Sequence, residues 1–120
     1  MDDEEMVREF TEKVLGHLGY ETEFARDGAE TIELYVRGKE DNKPFDVVIM
    51  DLTIPGGMGG RETIKRLMEI DSEVKAIVSS GYSNDPVMSE YKDYGFRKVI
   101  TKPYKIEELS KILAKVINEK

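Results

Sequence analysis

Apolar residues recur along the 120-residue chain with two different periods. Between Glu4 and about Leu18, the residues Val7, Phe10, Val14 and Leu18 fall at steps of three and four, which describes one face of a helix. Gly19 stands where a helix-ending glycine is common. "YETEFA", Tyr20 to Ala25, reads as a short strand and "RDG" as a turn. Ala29, Ile32, Tyr35 and Val36 then line a second helix ending near Gly38. In "FDVVIMD" the run Val47 to Met50 is continuous rather than alternating, as in a parallel strand covered on both faces. A third helix follows from about Arg61 to Glu69, with Ile64, Leu67 and Met68 inward. "VKAIVSS" is a further apolar strand, and a weaker helix runs from about Pro86 to Tyr94, with proline at its first position. "FRKVITKP" is the last strand, ending at Lys102. The final helix carries Ile106, Leu109, Ile112, Leu113, Val116 and Ile117.

The predicted order is αβαβαβαβα. Such alternation implies an α/β domain, a parallel sheet with helices on both faces and right-handed crossovers. The length suits a single domain over residues 1–120, and no linker or repeat divides it.

Composition narrows the chemistry. The chain has no cysteine and a single histidine, His17, so thiolate and histidine-rich metal sites are excluded. A net charge of −7 argues against a nucleic-acid-binding face, which needs clustered Lys and Arg. No apolar run approaches the roughly 20 residues of a membrane span, and the acidic start is unlike a signal peptide. These features lead us to expect a cytoplasmic protein without membrane partners.

Open α/β sheets bind ligands beyond the carboxyl ends of their strands. Strands end in Asp51, in Ser79 and in Lys102, while Asp2 and Asp3 precede the first helix, so all five are expected on one edge. Taken singly each has an ordinary reading: the acidic pair as a helix cap, Ser79 as a loop cap, Lys102 as a surface residue. Converging, three carboxylates repel one another unless a cation neutralises them. An all-oxygen donor set suits a hard ion such as Mg²⁺. One carboxylate can act as a nucleophile toward a phosphoryl group, with Lys102 meeting the developing charge.

"DD" before a helix, "VIMDLTIPGGMGG", "VSSGYS" and "TKPY" occur in order across essentially the whole chain. Together they resemble the receiver domain of two-component response regulators, and most closely receivers attached to hybrid sensor histidine kinases. The resemblance implies a flavodoxin-like fold and a phosphorelay function. A phosphoryl group would pass from a histidine kinase or histidine phosphotransfer domain to Asp51, the phosphoacceptor, and change the interaction surface. It implies Asp3 as a direct Mg²⁺ ligand, Asp2 as a ligand acting mainly through water, and the backbone carbonyl of Thr53 as completing the site. Ser79 matches the hydroxyl residue that responds to phosphorylation and Ser80 the small residue after it. Lys102 matches the lysine that pairs with the phosphoryl group, followed by Pro103 through a cis peptide. The phosphodonor histidine belongs to the partner, so His17 is read as a surface residue. Such a domain is a regulatory phosphoacceptor rather than an enzyme. A magnesium phosphatase on a similar sheet would carry a general-acid aspartate two residues after its nucleophile, where this chain has Thr53.

Two departures from the family pattern stand out. Many receivers carry an aromatic residue three before the lysine, where this chain has Val99; Tyr82 and Tyr104 lie near but do not match that position. The family's usual hydroxyl-to-aromatic coupling is therefore expected to be absent or altered. The apolar first strand, central in this fold, is also missing, since only Met1 precedes Asp2. Each lost core side chain removes roughly 1.5–3 kcal/mol of burial from a net stability of about 5–15 kcal/mol. We therefore expect a truncated receiver whose strands rearrange, with the second closing on the third, or which pairs with a second copy by strand exchange. The alternative function is an interaction module, receiver in descent, with little phosphorylation activity.

Overall fold

The computed structural model describes residues 1–81 and 84–119. Along it run α1 (Glu5–His17), α2 (Gly28–Glu40), β1 (Val48–Asp51), α3 (Gly60–Ile70), β2 (Ala76–Ser80), α4 (Pro86–Ser89), α5 (Tyr91–Tyr94), β3 (Lys98–Thr101) and α6 (Ile106–Asn118). The three strands form one parallel sheet in the order β1-β2-β3. Val48 to Asp51 lie opposite Ala76 to Ser79, and Ile77 to Ser80 lie opposite Lys98 to Thr101.

Side chains alternate across a strand, and β2 shows what this does. Ala76 and Val78 join a core with Met50, Ile64, Leu67 and Phe96, on the side of α2 and α3. Ile77 faces the other way, into a core with Val14, Leu15, Ile100, Leu109, Leu113 and Val116 from α1, β3 and α6. Both faces of the sheet are thus covered, and every residue of β2 is buried. The expectation of full cover fails for β1, where Val47, Val48 and Ile49 are half-buried.

The predicted strand Tyr20–Ala25 is not a strand. A strand exists by virtue of a neighbour's ladder, and here only two residues run alongside. The Met1 nitrogen donates to the Ile49 carbonyl at 2.7 Å and Met1 C=O accepts from Asp51 N–H at 3.0 Å. Asp2 N–H donates to Ala25 C=O at 3.0 Å on the other side. Met1 and Asp2 therefore lie between β1 and the 20–25 segment, and the expected closing of the second strand onto the third does not occur among the described residues.

Helix phases also need correction. Phe10, Met68 and Ile106 were expected inward, yet are 46%, 37% and 51% exposed; Ala29 is exposed as well. The inner face of α1 is Thr11, Val14 and Leu15, with the Thr11 hydroxyl donating to Val7 C=O at 2.7 Å. The helix predicted over 86–94 is broken at Glu90 into α4 and α5.

Candidate functional site

The site is assembled where β1, β2 and β3 end. Asp51 and Ser79 are register partners on neighbouring strands, and Lys102 follows β3, its N–H bonded to Ser80 C=O at 3.0 Å. Asp2 arrives from the N-terminal side, placed by the bonds of Met1 to Ile49 and Asp51. The sequence expectation that these groups share one edge is thus met by geometry. The expected cis peptide between Lys102 and Pro103 is present.

Glycines hold the loop after Asp51 in place. A Cβ at Gly59 would lie 2.4 Å from the Leu52 carbonyl oxygen, and one at Gly60 would lie 2.9 Å from that of Asp51. Gly60 N–H also donates to Leu52 C=O at 3.1 Å. The second "GG" of "IPGGMGG" therefore lets α3 start directly against the end of β1, where a side chain would not fit.

Lys102 is the electrostatic centre. Its ammonium lies 2.5 Å from Asp2 Oδ2 and 2.9 Å from Asp51 Oδ2. The side chains are 16% exposed for Lys102, 7% for Asp2 and 10% for Asp51. Burial alone would lower the Lys102 pKa, but the hydrogen bonds and charges of Asp2 and Asp51 outweigh it and raise it above its ordinary 10.5. Burial pushes the Asp51 carboxyl above 3.8; Lys102 pulls it down and the charge of Asp2 adds to the rise. The second Asp51 oxygen accepts a long bond, 3.4 Å, from Thr53 N–H.

The helix-cap reading of the acidic pair is not met: the N-cap of α1 is Glu4, and no side chain caps the helix. Asp2 Oδ1 accepts from Glu4 N–H at 3.0 Å just before the helix, while Oδ2 pairs with Lys102. Asp3 is exposed. The carboxylates of Asp2, Asp3 and Glu4 come within 4.8 Å of one another, so Glu4 joins the acidic corner. Glu4 was not among the sequence candidates; its place beside the acidic pair was the available signal. This all-oxygen donor set, in which the buried Asp2 Oδ2 has the Lys102 ammonium as its ionic partner, has the chemistry that suits a hard divalent cation.

Ser79 is fully buried. Its hydroxyl is 2.6 Å from the hydroxyl of Tyr104. Tyr104 was set aside on sequence because it lies two after Lys102, away from the family's aromatic position. Val99, which does hold that position, packs as a half-buried aliphatic residue against the core. Tyr82, the other aromatic considered, lies outside the described residues. His17 is exposed at the end of α1, as expected of a surface residue.

The profile of the response regulator receiver domain matches residues 1–114. The chain is 32% identical over 117 residues to the chemotaxis protein CheY of Thermotoga maritima, covering 97% of this chain and 92% of that protein. It is 27% identical over 117 residues to the sporulation initiation phosphotransferase F of Bacillus subtilis, covering 98% and 90%. Among solved structures, the CheX–CheY complex of Borrelia burgdorferi with BeF₃ and magnesium superposes with a TM-score of 0.84 at 21% identity, covering 98% of this chain and 86% of that one. The fold is accordingly the flavodoxin-like one of such receivers, with the strand order of β1, β2 and β3 as its parallel core.

Proposed function

The chain belongs to the response regulator receiver family, and from that premise we propose that it is a phosphoacceptor domain in which Asp51 takes a phosphoryl group from a histidine of a partner kinase or phosphotransfer protein. Receiver domains are regulatory parts of two-component signalling and meet such partners. The observation that carries the assignment to Asp51 is the single ammonium of Lys102 bridging two buried carboxylates at adjacent strand ends.

In the transfer, a carboxylate oxygen of Asp51 attacks phosphorus as the bond from phosphorus to the imidazole nitrogen breaks. The electron pair of that bond returns to the histidine, and an acyl phosphate remains on Asp51. The nucleophile must be ionised. Burial works against this, and Lys102, 2.9 Å away, works for it. Once the phosphoryl group is in place, the same ammonium faces its added negative charge. Receiver domains generally use Mg²⁺ at an acidic pocket; here Asp2, Asp3, Asp51 and the Thr53 carbonyl would hold it. When bound, the ion neutralises carboxylate and phosphoryl charge. Hydrolysis reverses the modification when water attacks phosphorus and the Asp51 carboxylate leaves. Ser79 supplies a buried hydroxyl beside Asp51, from the neighbouring strand.

The test is incubation with acetyl phosphate and Mg²⁺, read by intact mass. The wild-type protein gains one phosphoryl group and Asp51→Asn gains none. Equal gain by both would refute the assignment. A folded protein that gains nothing and binds no Mg²⁺ at millimolar concentration would favour the interaction-module alternative.

A further inference from the structure

Asp2 is where a two-residue ladder gives way to a helix. Met1 is held to β1 through Ile49 and Asp51, and Asp2 N–H donates to Ala25 C=O at 3.0 Å on the opposite side. The chain then turns, and α1 begins at Glu5. At that turn the Arg8 guanidinium donates from Nη1 to the Asp2 carbonyl oxygen at 2.8 Å. Arg8 itself is fixed in the first turn of α1, its N–H bonded to Glu4 C=O at 3.1 Å. The half-buried side chain therefore reaches back over six residues to a backbone oxygen.

The Asp2 carbonyl and the Asp3 N–H belong to one planar peptide unit. Holding that oxygen sets the plane, and with it the direction in which the chain leaves toward Asp3 and Glu4. Both of these residues are exposed, so packing does little to hold them. Their carboxylates and that of Asp2 lie within 4.8 Å of one another, close enough to push apart. A hydrogen bond from a charged donor is stronger than a neutral one, and a guanidinium stays charged at any working pH. We propose that Arg8 is a positioning residue for the acidic corner: through the Asp2 carbonyl it holds Asp3 in place for a divalent cation. The inference rests on the Mg²⁺ reading of that corner. Charge alone would act in the opposite direction, because a guanidinium near a metal site repels the metal and its removal would tighten binding. Removal of a positioning bond weakens binding.

The test uses the full chain, labelled with ¹⁵N and titrated with Mg²⁺ under NMR. Arg8→Met keeps an unbranched stem and removes both the donor and the charge. It is expected to bind Mg²⁺ roughly fivefold more weakly than the wild type, the fold-change of one ordinary hydrogen bond. Arg8→Lys, which keeps a charged donor of similar reach, is expected to recover most of that loss. In the metal-free proteins the amide order parameters of Asp3 and Glu4 are expected to fall from about 0.85 in the wild type toward about 0.6 in Arg8→Met, with those of β2 unchanged. Unchanged or tighter Mg²⁺ binding by Arg8→Met overturns the inference alone, as does Arg8→Lys binding no better than Arg8→Met, or an unaltered order parameter at Asp3. A folded wild-type protein that binds no Mg²⁺ overturns the metal reading and this inference together.

Discussion

Replacing Lys102 by methionine removes the side-chain ammonium that pairs with both Asp2 and Asp51 while keeping an unbranched side chain of similar reach. Exposed ion pairs contribute about 0–1 kcal/mol, and removing one partner of a fully buried pair costs about 3–5 kcal/mol. With side chains 16%, 7% and 10% exposed and contacts of 2.5 and 2.9 Å, Lys102 and its two partners fall nearer the buried case. We expect Lys102→Met to lose about 2–4 kcal/mol at pH 7. For a domain of this size that is a fall in Tm of roughly 8–16 °C. The pH dependence follows from the directions of the shifts. Lys102 is raised above 10.5, so its contribution is fully present below that value and is lost only as pH rises through the raised pKa. Across pH 4–8 the wild type therefore keeps this interaction as long as its carboxylates are charged. In the variant, Asp51 is already pushed above 3.8 by burial and takes up a proton as pH falls. The gap between the two proteins should thus be widest near neutrality and shrink toward pH 4. Thermal melts by circular dichroism at fixed low ionic strength measure it directly. A gap below about 1 kcal/mol at pH 7, the range of exposed pairs, or one that does not change with pH, would refute the reasoning.

Other predictions follow from single contacts. Asp51→Asn should raise Tm at pH 7, by about 0.5–2 kcal/mol in stability. The folded-state pKa of Asp51 is raised, so its contribution is present below 3.8 and lost as pH rises through the raised value; the gain should therefore vanish in acid melts. Gly59→Ala places a Cβ 2.4 Å from the Leu52 carbonyl oxygen, and should cost about 1–3 kcal/mol in denaturant unfolding and slow phosphorylation by shifting the end of β1. Lys75→Met removes bonds of 2.8 and 2.6 Å to the Ile117 and Glu119 carbonyls. It should fray the end of α6, costing about 0.3–1 kcal/mol, with faster amide exchange confined to that turn.

How much of this was legible in the sequence depends on what each residue answers to. Asp51, Ser79 and Lys102 follow apolar runs, and a parallel strand's end fixes their edge whatever the packing details. Phe10, Met68 and Ile106 were misplaced because spacing of three and four sets a helix period without choosing its phase. Thr11 hid the true phase of α1, since its hydroxyl is satisfied by Val7 C=O and so it can be buried. "YETEFA" has the aromatic and β-branched residues of a strand, but only Met1 and Asp2 run between it and β1, and a strand needs a partner along its length. Tyr104 was passed over because sequence position was compared with a family pattern. Its reach to Ser79 comes from the way the β3–α6 connection passes the end of β2, which no local pattern encodes.

Identifying the residue that carries the phosphoryl group tests the central claim most directly. An acyl phosphate is reduced by borohydride to an alcohol, so aspartyl phosphate becomes homoserine. After treatment with acetyl phosphate and Mg²⁺, borohydride reduction and peptide mass spectrometry, the account predicts homoserine at position 51 and nowhere else. Reduction at Asp2 or Asp3, or a stable phosphate on Ser79 or His17 with position 51 unchanged, would contradict it.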